Sequence, residues 1–396
     1  MADTRAARLR RLWLNVHLWL GVGLAALLVP ISVSGGLLVW HDEIDALINP
    51  QRYAVSGAEV ALPPTAYFTK ATEAIAKEPG NLQATALRYP DEPGAPMRVV
   101  TRARTGGAGG PPRIVTVFLD PPTAAVLDVM DFRASFIGFL HVFHENLMLP
   151  QYSGRQIVGW AGAGMLILSL TGIWLWWPRN GAFLRGLRWT RSPRFTFNLH
   201  NMLGFWISIP LAIVSATGIY LSFPQTARNA MASVATMSPQ APRGGFFGEV
   251  AQHTELTPDR ALDMARQAAP DAKPSTLFLP VEARGDRAGV PARPASLLWR
   301  VQMTRGDTET ITVMIDDRSG KAAPLAAPQT GDRAAAWIRW IHEGSHSGPV
   351  WNVIVFLTGI FPVVFAVTGV IMWLRKRADR RATEARRGAA RLRPAE

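Results

Sequence analysis

The residues of this sequence best suited to chemistry are its histidines, because their types and neighbours recur. His17 and His200 stand in the same setting, with Asn15 and Asn198 before them, Gly21 and Gly204 after them, and Ser34-Gly35 and Thr217-Gly218 at a matched distance further on. Four more, His141, His144, His342 and His346, fall in two aromatic-rich segments, FIGFLHVFHENLMLPQYSGR and AAAWIRWIHEGSHSGPVW. Their spacings, i, i+3 and i, i+4, predict two imidazoles on one face of each short helix. His41 and His253 have no counterpart and read as surface residues.

Imidazoles matched between two halves of a chain can meet in pairs, and a pair at one depth of a helix bundle can supply both axial ligands of a haem. His17/His200 form one such pair, and the other comes from among His141, His144, His342 and His346, a choice that spacing leaves open. The plain alternative is that each histidine is a polar anchor hydrogen-bonded to a neighbouring helix. Two imidazoles without carboxylate or thiolate partners are too few for a closed zinc site. Glu145 and Glu343 adjoin His144 and His342, which admits an outer metal site or, more simply, a carboxylate that orients an imidazole. The chain has no cysteine, which excludes disulfides, thiolate metal sites, iron–sulfur clusters and covalent haem attachment, so any haem is held non-covalently.

The elements that must carry these residues are four apolar runs of membrane-spanning length, Leu12 to Trp40, Gln156 to Trp177, Phe197 to Phe223 and Trp351 to Trp373, all free of acidic residues. Arginine followed by an apolar stretch at the start could mimic a signal peptide. The run is too long and lacks a small-residue cleavage site, so it reads as an uncleaved first span. Net charge is +13, yet the excess sits in residues 1–16, 178–195 and 374–396, while the two long connections are nearly neutral. That is the positive-inside pattern, with both termini and the middle loop cytoplasmic, and not the basic folded face of a nucleic-acid binder. Arg11, Arg188 and Arg194 are placed to pair with haem propionates or simply to obey that rule. Tryptophans at span ends read as interfacial belts, and Gly159, Gly162 and Gly164 as close packing or as room for a flat macrocycle.

Each long connection has the same order of elements: a helix (65–77; Pro258 to Ala269), three strands (Leu82 to Arg88, Met97 to Arg104, Ile114 to Asp120; Ser275 to Val281, Ser296 to Thr304, Glu309 to Ile315) and a turn (Asp120-Pro121-Pro122; Asp316 to Gly320). The expected architecture is a membrane α-helical protein, a four-helix bundle built from two parallel repeats, with two small α+β outer domains. Its parts are the first span (1–40), an outer domain (41–135), an interfacial helix with the second span (136–177), a cytoplasmic loop (178–195), the third span (196–223), a second outer domain (224–335), an interfacial helix with the fourth span (336–374) and a basic tail (375–396). The stretch from Pro224 to Thr254, with Met231, Met237, Phe246 and Phe247, reads as linker.

HLWLG from His17, HDEIDALINP from His41, His144 to Leu149 with Gly154-Arg155, His342-Glu343-Gly344 and the closing TGVIMWLRKR together resemble the PepSY-associated transmembrane helix family, and within it the bacterial inner-membrane ferrisiderophore reductases of the ferrioxamine reductase type. TPDRALDMARQA and VMIDDRSGK, mirrored by VFLDPPTAAVL, resemble PepSY modules. The resemblance implies two b-type haems, electrons passed outward across the bacterial inner membrane, periplasmic outer domains and a ferric siderophore as acceptor. It also implies His144 and His342 as the outer ligands. His346 is additional to the family pattern, and His-Glu-Gly replaces its His-Thr-Gly.

With no dinucleotide fingerprint in the chain, electrons must come from a quinol or a cytoplasmic-side partner. The competing classes are a haem subunit of another reductase and a non-enzymatic membrane module whose outer domains bind a partner. A ferric reductase is expected, with membrane lipid around it and no nucleic acid.

Overall fold

The computed structural model describes residues 5–103, 113–178, 187, 189, 192–238, 249–282, 297–306 and 309–391. The chain forms two compact units, one of Met1–Trp40, Leu140–Ala235 and Arg333–Glu396, the other of His41–Phe139 and Thr236–Asp332.

The first unit contains four helices long and apolar enough to cross a membrane: Arg5–Leu38, Gly154–Trp176, Phe195–Ser222 and a fourth that begins at Gly348. The fourth does not stop with the apolar run. It continues as helix to Arg391, through the segment expected to be a tail, because Ala, Arg and Glu in that stretch are all strong helix formers. The four pack in a ring: the first and third each contact the second and fourth. Small residues allow the close approaches. A Cβ on Gly359 would lie 2.5 Å from the Cα of Gly36, so the first and fourth helices meet backbone to backbone there. Gly159 and Gly162 face Phe223, Ser222 and Ile219 of the third helix, and Gly164 faces Leu24 of the first. These glycines therefore serve helix packing rather than space for a macrocycle.

The second unit differs from two separate outer domains. Among the described residues eight of its strands form one antiparallel sheet in the order β10-β9-β8-β6-β1-β2-β3-β4. These are β1 (Leu82–Arg88), β2 (Met97–Ala103), β3 (Ile114–Leu119), β4 (Val126–Asp131), β6 (Lys273–Phe278), β8 (Leu298–Arg305), β9 (Glu309–Asp316) and β10 (Ala322–Pro324). A small separate ladder pairs β5 (Glu249–Val250) with β7 (Val281–Glu282). The seam is β1 against β6, with Ala86, Leu87 and Arg88 opposite Phe278, Leu277 and Thr276. The helices Pro64–Ile75 and Pro258–Ala268 share one hydrophobic core with the sheet, containing Tyr67, Leu87, Val99, Leu277, Trp299 and Val301. Each half alone would leave an edge strand unpaired, and joining the edges removes that exposure.

Several local expectations change. Thr65 sits in the first turn of its helix, which begins at Pro64 with Pro63 as N-cap. Its N–H and hydroxyl donate to Asp259 of the other helix, both at 2.8 Å. Strand β4 is absent from the sequence reading because Asp128 and Asp131 break its apolar pattern. Both are held by arginines, Arg52 to Asp128 and Arg113 to Asp131, each at 2.6 Å. Arg52 also reaches Asp45 at 2.6 Å, a buried pair. Part of the expected linker, Pro224–Ala232, is helix, and Met237 packs over Gly331. Arg104, Phe246, Phe247 and Ser296 lie outside the described residues.

Candidate functional site

His17 lies on the first long helix and His200 on the third, which stand across the ring from each other. Their ring centres are 6.3 Å apart with planes at 81°. His17 Nδ1 is 2.8 Å from the Thr171 hydroxyl on the second helix, and His200 Nδ1 is 2.8 Å from the Thr368 hydroxyl on the fourth. Each threonine hydroxyl donates its one proton to its own helix, Thr171 to the Ile167 carbonyl and Thr368 to the Val364 carbonyl, both at 2.7 Å. The hydroxyl oxygen can then only accept from the imidazole. That fixes the proton on Nδ1 and leaves a lone pair on Nε2.

The short helices Phe136–Asn146 and Thr330–Glu343 deliver the second pair. The first is ended by Leu147 and Met148, both with positive φ, and the chain turns back through Ser153, also left-handed, into Gly154. A Cβ at Gly154 would lie 1.9 Å from the Asn146 carbonyl oxygen, so only glycine lets the reversal close this tightly. Arg155 then ties the short helix to the third long helix, pairing with Glu145 at 2.9 Å and donating to the Leu221 carbonyl at 2.9 Å. The second short helix ends at Gly344, with φ 84°, and is pinned by Trp351, whose Nε1–H donates to the Ile341 carbonyl at 2.9 Å.

These reversals bring His144 and His342 to a ring-centre separation of 6.2 Å with planes at 35°. His144 Nδ1 donates to the Ile31 carbonyl at 2.9 Å and His342 Nδ1 to the Val214 carbonyl at 3.0 Å. A carbonyl cannot donate, so both rings again keep the proton on Nδ1 and the lone pair on Nε2. Burial lowers the pKa of both, which favours the neutral ligating form.

All four rings also lie over a helix glycine that follows a hydroxyl residue. A Cβ on Gly35 or Gly218 would come within 2.5 Å of His144 Cε1 or 2.8 Å of His342 Cε1. On Gly172 or Gly369 it would stand 3.5 Å from His17 Cε1 or 3.7 Å from His200 Cε1. Hydroxyl–glycine pairs recur along all four long helices, at Ser34-Gly35, Thr171-Gly172, Thr217-Gly218 and Thr368-Gly369. Their recurrence was the available signal for the imidazole seats.

His141 and His346 do not join either pair. His141 is on the exposed side of its helix. His346 lies beyond the end of the helix that carries His342, in a left-handed turn, with its ring 4.7 Å from that of Trp340. The expected shared face is lost because Gly344 ends the helix first. Glu145 and Glu343 bind Arg155 and Arg339 rather than orienting an imidazole. Arg194 pairs with Asp379 at 3.3 Å, and Arg188 lies outside the described residues.

The two levels are separated identically in both helices that pass them. Ile31 is fourteen residues beyond His17 and Val214 fourteen beyond His200, about 21 Å along the axis at a rise of 1.5 Å per residue. Two imidazoles bonded through nitrogen to one metal, at about 2.0–2.1 Å on each side, have ring centres roughly 6.3 Å apart once ring size is added. Both observed separations fit. Among the described residues no three His, Asp or Glu side chains converge, so the donor sets are pairs. This chemistry suits an ion whose other ligands come from an equatorial macrocycle.

Four helices long and apolar enough to cross a membrane, bringing imidazoles together in pairs, are the arrangement of a membrane protein. The family model of the PepSY-associated TM region matches residues 14–376, and the chain belongs to that family. Comparison with curated proteins finds no match.

Proposed function

We propose that this protein is a di-haem b oxidoreductase of the bacterial inner membrane that passes electrons outward to ferric iron held by a siderophore, releasing ferrous iron in the periplasm. The observation that carries this reading is the disposition of the four imidazoles: two pairs with ring centres 6.3 and 6.2 Å apart, each ring with its Nδ1 proton engaged and its Nε2 lone pair free of it. His17 and His200 would hold one haem and His144 and His342 the other. When bound, each haem supplies an iron centre that gains and loses one electron without a proton.

The chain's own residues orient and shield. Thr171, Thr368 and the carbonyls of Ile31 and Val214 lock the imidazoles in the ligating tautomer. The surrounding apolar helices keep water from the two levels. In this reading the bundle consists of two parallel repeats related by an axis along the membrane normal, with the basic segments cytoplasmic and the sheet unit periplasmic. The donor is a quinol, or a cytoplasmic-side partner. Each electron converts one Fe(III) to Fe(II), so a quinol giving up two electrons and two protons serves two ferric ions.

Purified protein is expected to give the reduced-minus-oxidised bands of b-type haem, with two haems per chain. His17→Ala or His200→Ala should deplete one haem, and His144→Ala or His342→Ala the other. Ferric siderophore added to reduced protein should re-oxidise it with capture of ferrous iron. A colourless preparation would remove the reading in favour of a non-enzymatic membrane module, and haem without re-oxidation would favour a haem subunit for a different acceptor.

A further inference from the structure

The two imidazole pairs differ in which oxygen stands nearest Nδ1 and in the angle between the ring planes. At His17 and His200 the nearest oxygen is a threonine hydroxyl on a neighbouring long helix, with the Leu168 carbonyl also beside the His17 ring, and the ring planes are crossed at 81°. At His144 and His342 the acceptor is a peptide carbonyl, with the Ser34 and Thr217 hydroxyls further off at 3.4 and 3.2 Å, and the planes are inclined by only 35°.

Both differences act on a bound iron in the same direction. A peptide carbonyl draws the Nδ1 proton more strongly than a hydroxyl oxygen. It therefore leaves more electron density on the imidazole, which favours the ferric state. Rings whose planes are closer to parallel concentrate their π donation on one iron d orbital, split the pair unequally and again favour the ferric state. Crossed rings spread that donation over two orbitals and leave them nearly degenerate.

Resting on the di-haem reading, we propose that Thr171 and Thr368 are positioning residues that hold His17 and His200 crossed and weakly polarised. They make that level the higher-potential centre, with the more anisotropic low-spin ferric signal, and the His144/His342 level the lower-potential, rhombic one. The geometry supports this independently of sequence likeness: each hydroxyl contacts its ring at 2.8 Å and is itself aimed by its own helix carbonyl.

The test is low-temperature electron paramagnetic resonance of the oxidised full-length protein, with a potentiometric titration of the haem absorption. Wild type is expected to give two low-spin signals and two reduction steps. His17→Ala should remove the more anisotropic signal and the upper step, and His144→Ala the rhombic signal and the lower step. Thr171→Val and Thr368→Val, which keep side-chain shape, should alter the anisotropic signal and its step alone. Thr171→Ser, which keeps the hydroxyl, should retain both.

Two bound haems with identical signals and one step would overturn the proposal while leaving the di-haem reading intact. So would a Thr171→Val protein with two haems and an unchanged upper centre, or a Thr171→Ser protein as altered as Thr171→Val. If Thr171→Val fails to retain haem, the wild-type assignment and Thr171→Ser decide the matter. Wild-type protein without haem would instead defeat the di-haem reading itself.

Discussion

At the scale of single residues, the glycines beneath the imidazoles make a graded prediction. Gly35 and Gly218 are covered so closely that a methyl group would collide with the face of His144 or His342, whereas Gly172 and Gly369 leave ordinary contact distances to His17 and His200. Alanine is otherwise favoured over glycine inside a helix by roughly 0.5–1 kcal/mol, so these substitutions should not unfold the bundle. Gly35→Ala and Gly218→Ala are expected to displace their imidazole and, on the di-haem proposal, to lower haem content from two per chain towards one. Gly172→Ala and Gly369→Ala should keep both. Pyridine haemochrome quantification checks this, and equal haem loss from all four would contradict the seat geometry.

At the scale of elements, the seam between β1 and β6 makes the outer segments one folding unit. Leu87 and Leu277 face each other across it and are fully buried. Leu277→Ala should cost about 2–5 kcal/mol and lower the melting of both halves of the sheet together. Protection from hydrogen exchange lost only in residues 249–324 would show two independent halves instead. Turn carboxylates add a pH dependence. Burial acts to raise the Asp120 carboxyl, and hydrogen bonds from Ser56 and Thr123 outweigh it, leaving the pKa below its ordinary 3.8. The backbone and hydroxyl of Ser319 likewise lower Asp316. Carboxyls depressed in the folded state stabilise it fully above their unfolded pKa, and the contribution is lost as pH falls through the folded value. Stability of the sheet should therefore decline below about pH 4, and Asp120→Asn should flatten that decline in acid denaturation followed by circular dichroism.

At the scale of the whole molecule, the distribution of basic residues makes a prediction about sidedness that the absence of cysteine makes simple to check. Single cysteines introduced at Lys77, in the sheet unit, and at Ala382, on the helical extension, can be labelled without background. With the basic segments cytoplasmic, a membrane-impermeant maleimide should modify Lys77→Cys in cells whose outer membrane alone has been opened, and Ala382→Cys only after the inner membrane is breached. The reverse pattern would invert the proposed orientation, and with it the proposed direction of electron transfer.

Much about this protein is written in its order of residues. The four apolar runs declare themselves because bilayer thickness demands an unbroken apolar stretch, and the matched settings of His17 and His200 survive as a local pattern. Spacing shortlisted His144 and His342 without separating them from His141 and His346, and only the family resemblance favoured them. His346 drops out because Gly344 ends the helix before it, and His141 because it lies on the exposed side of the helix that carries His144, neither of which spacing registers. The partners of each Nδ1 lie on other helices, at Thr171, Thr368, Ile31 and Val214, so only packing could reveal which tautomer is held and at what angle the rings meet. The single sheet was likewise hidden, since pairing β1 with β6 is decided by two edges that have no sequence proximity and every reason to avoid water.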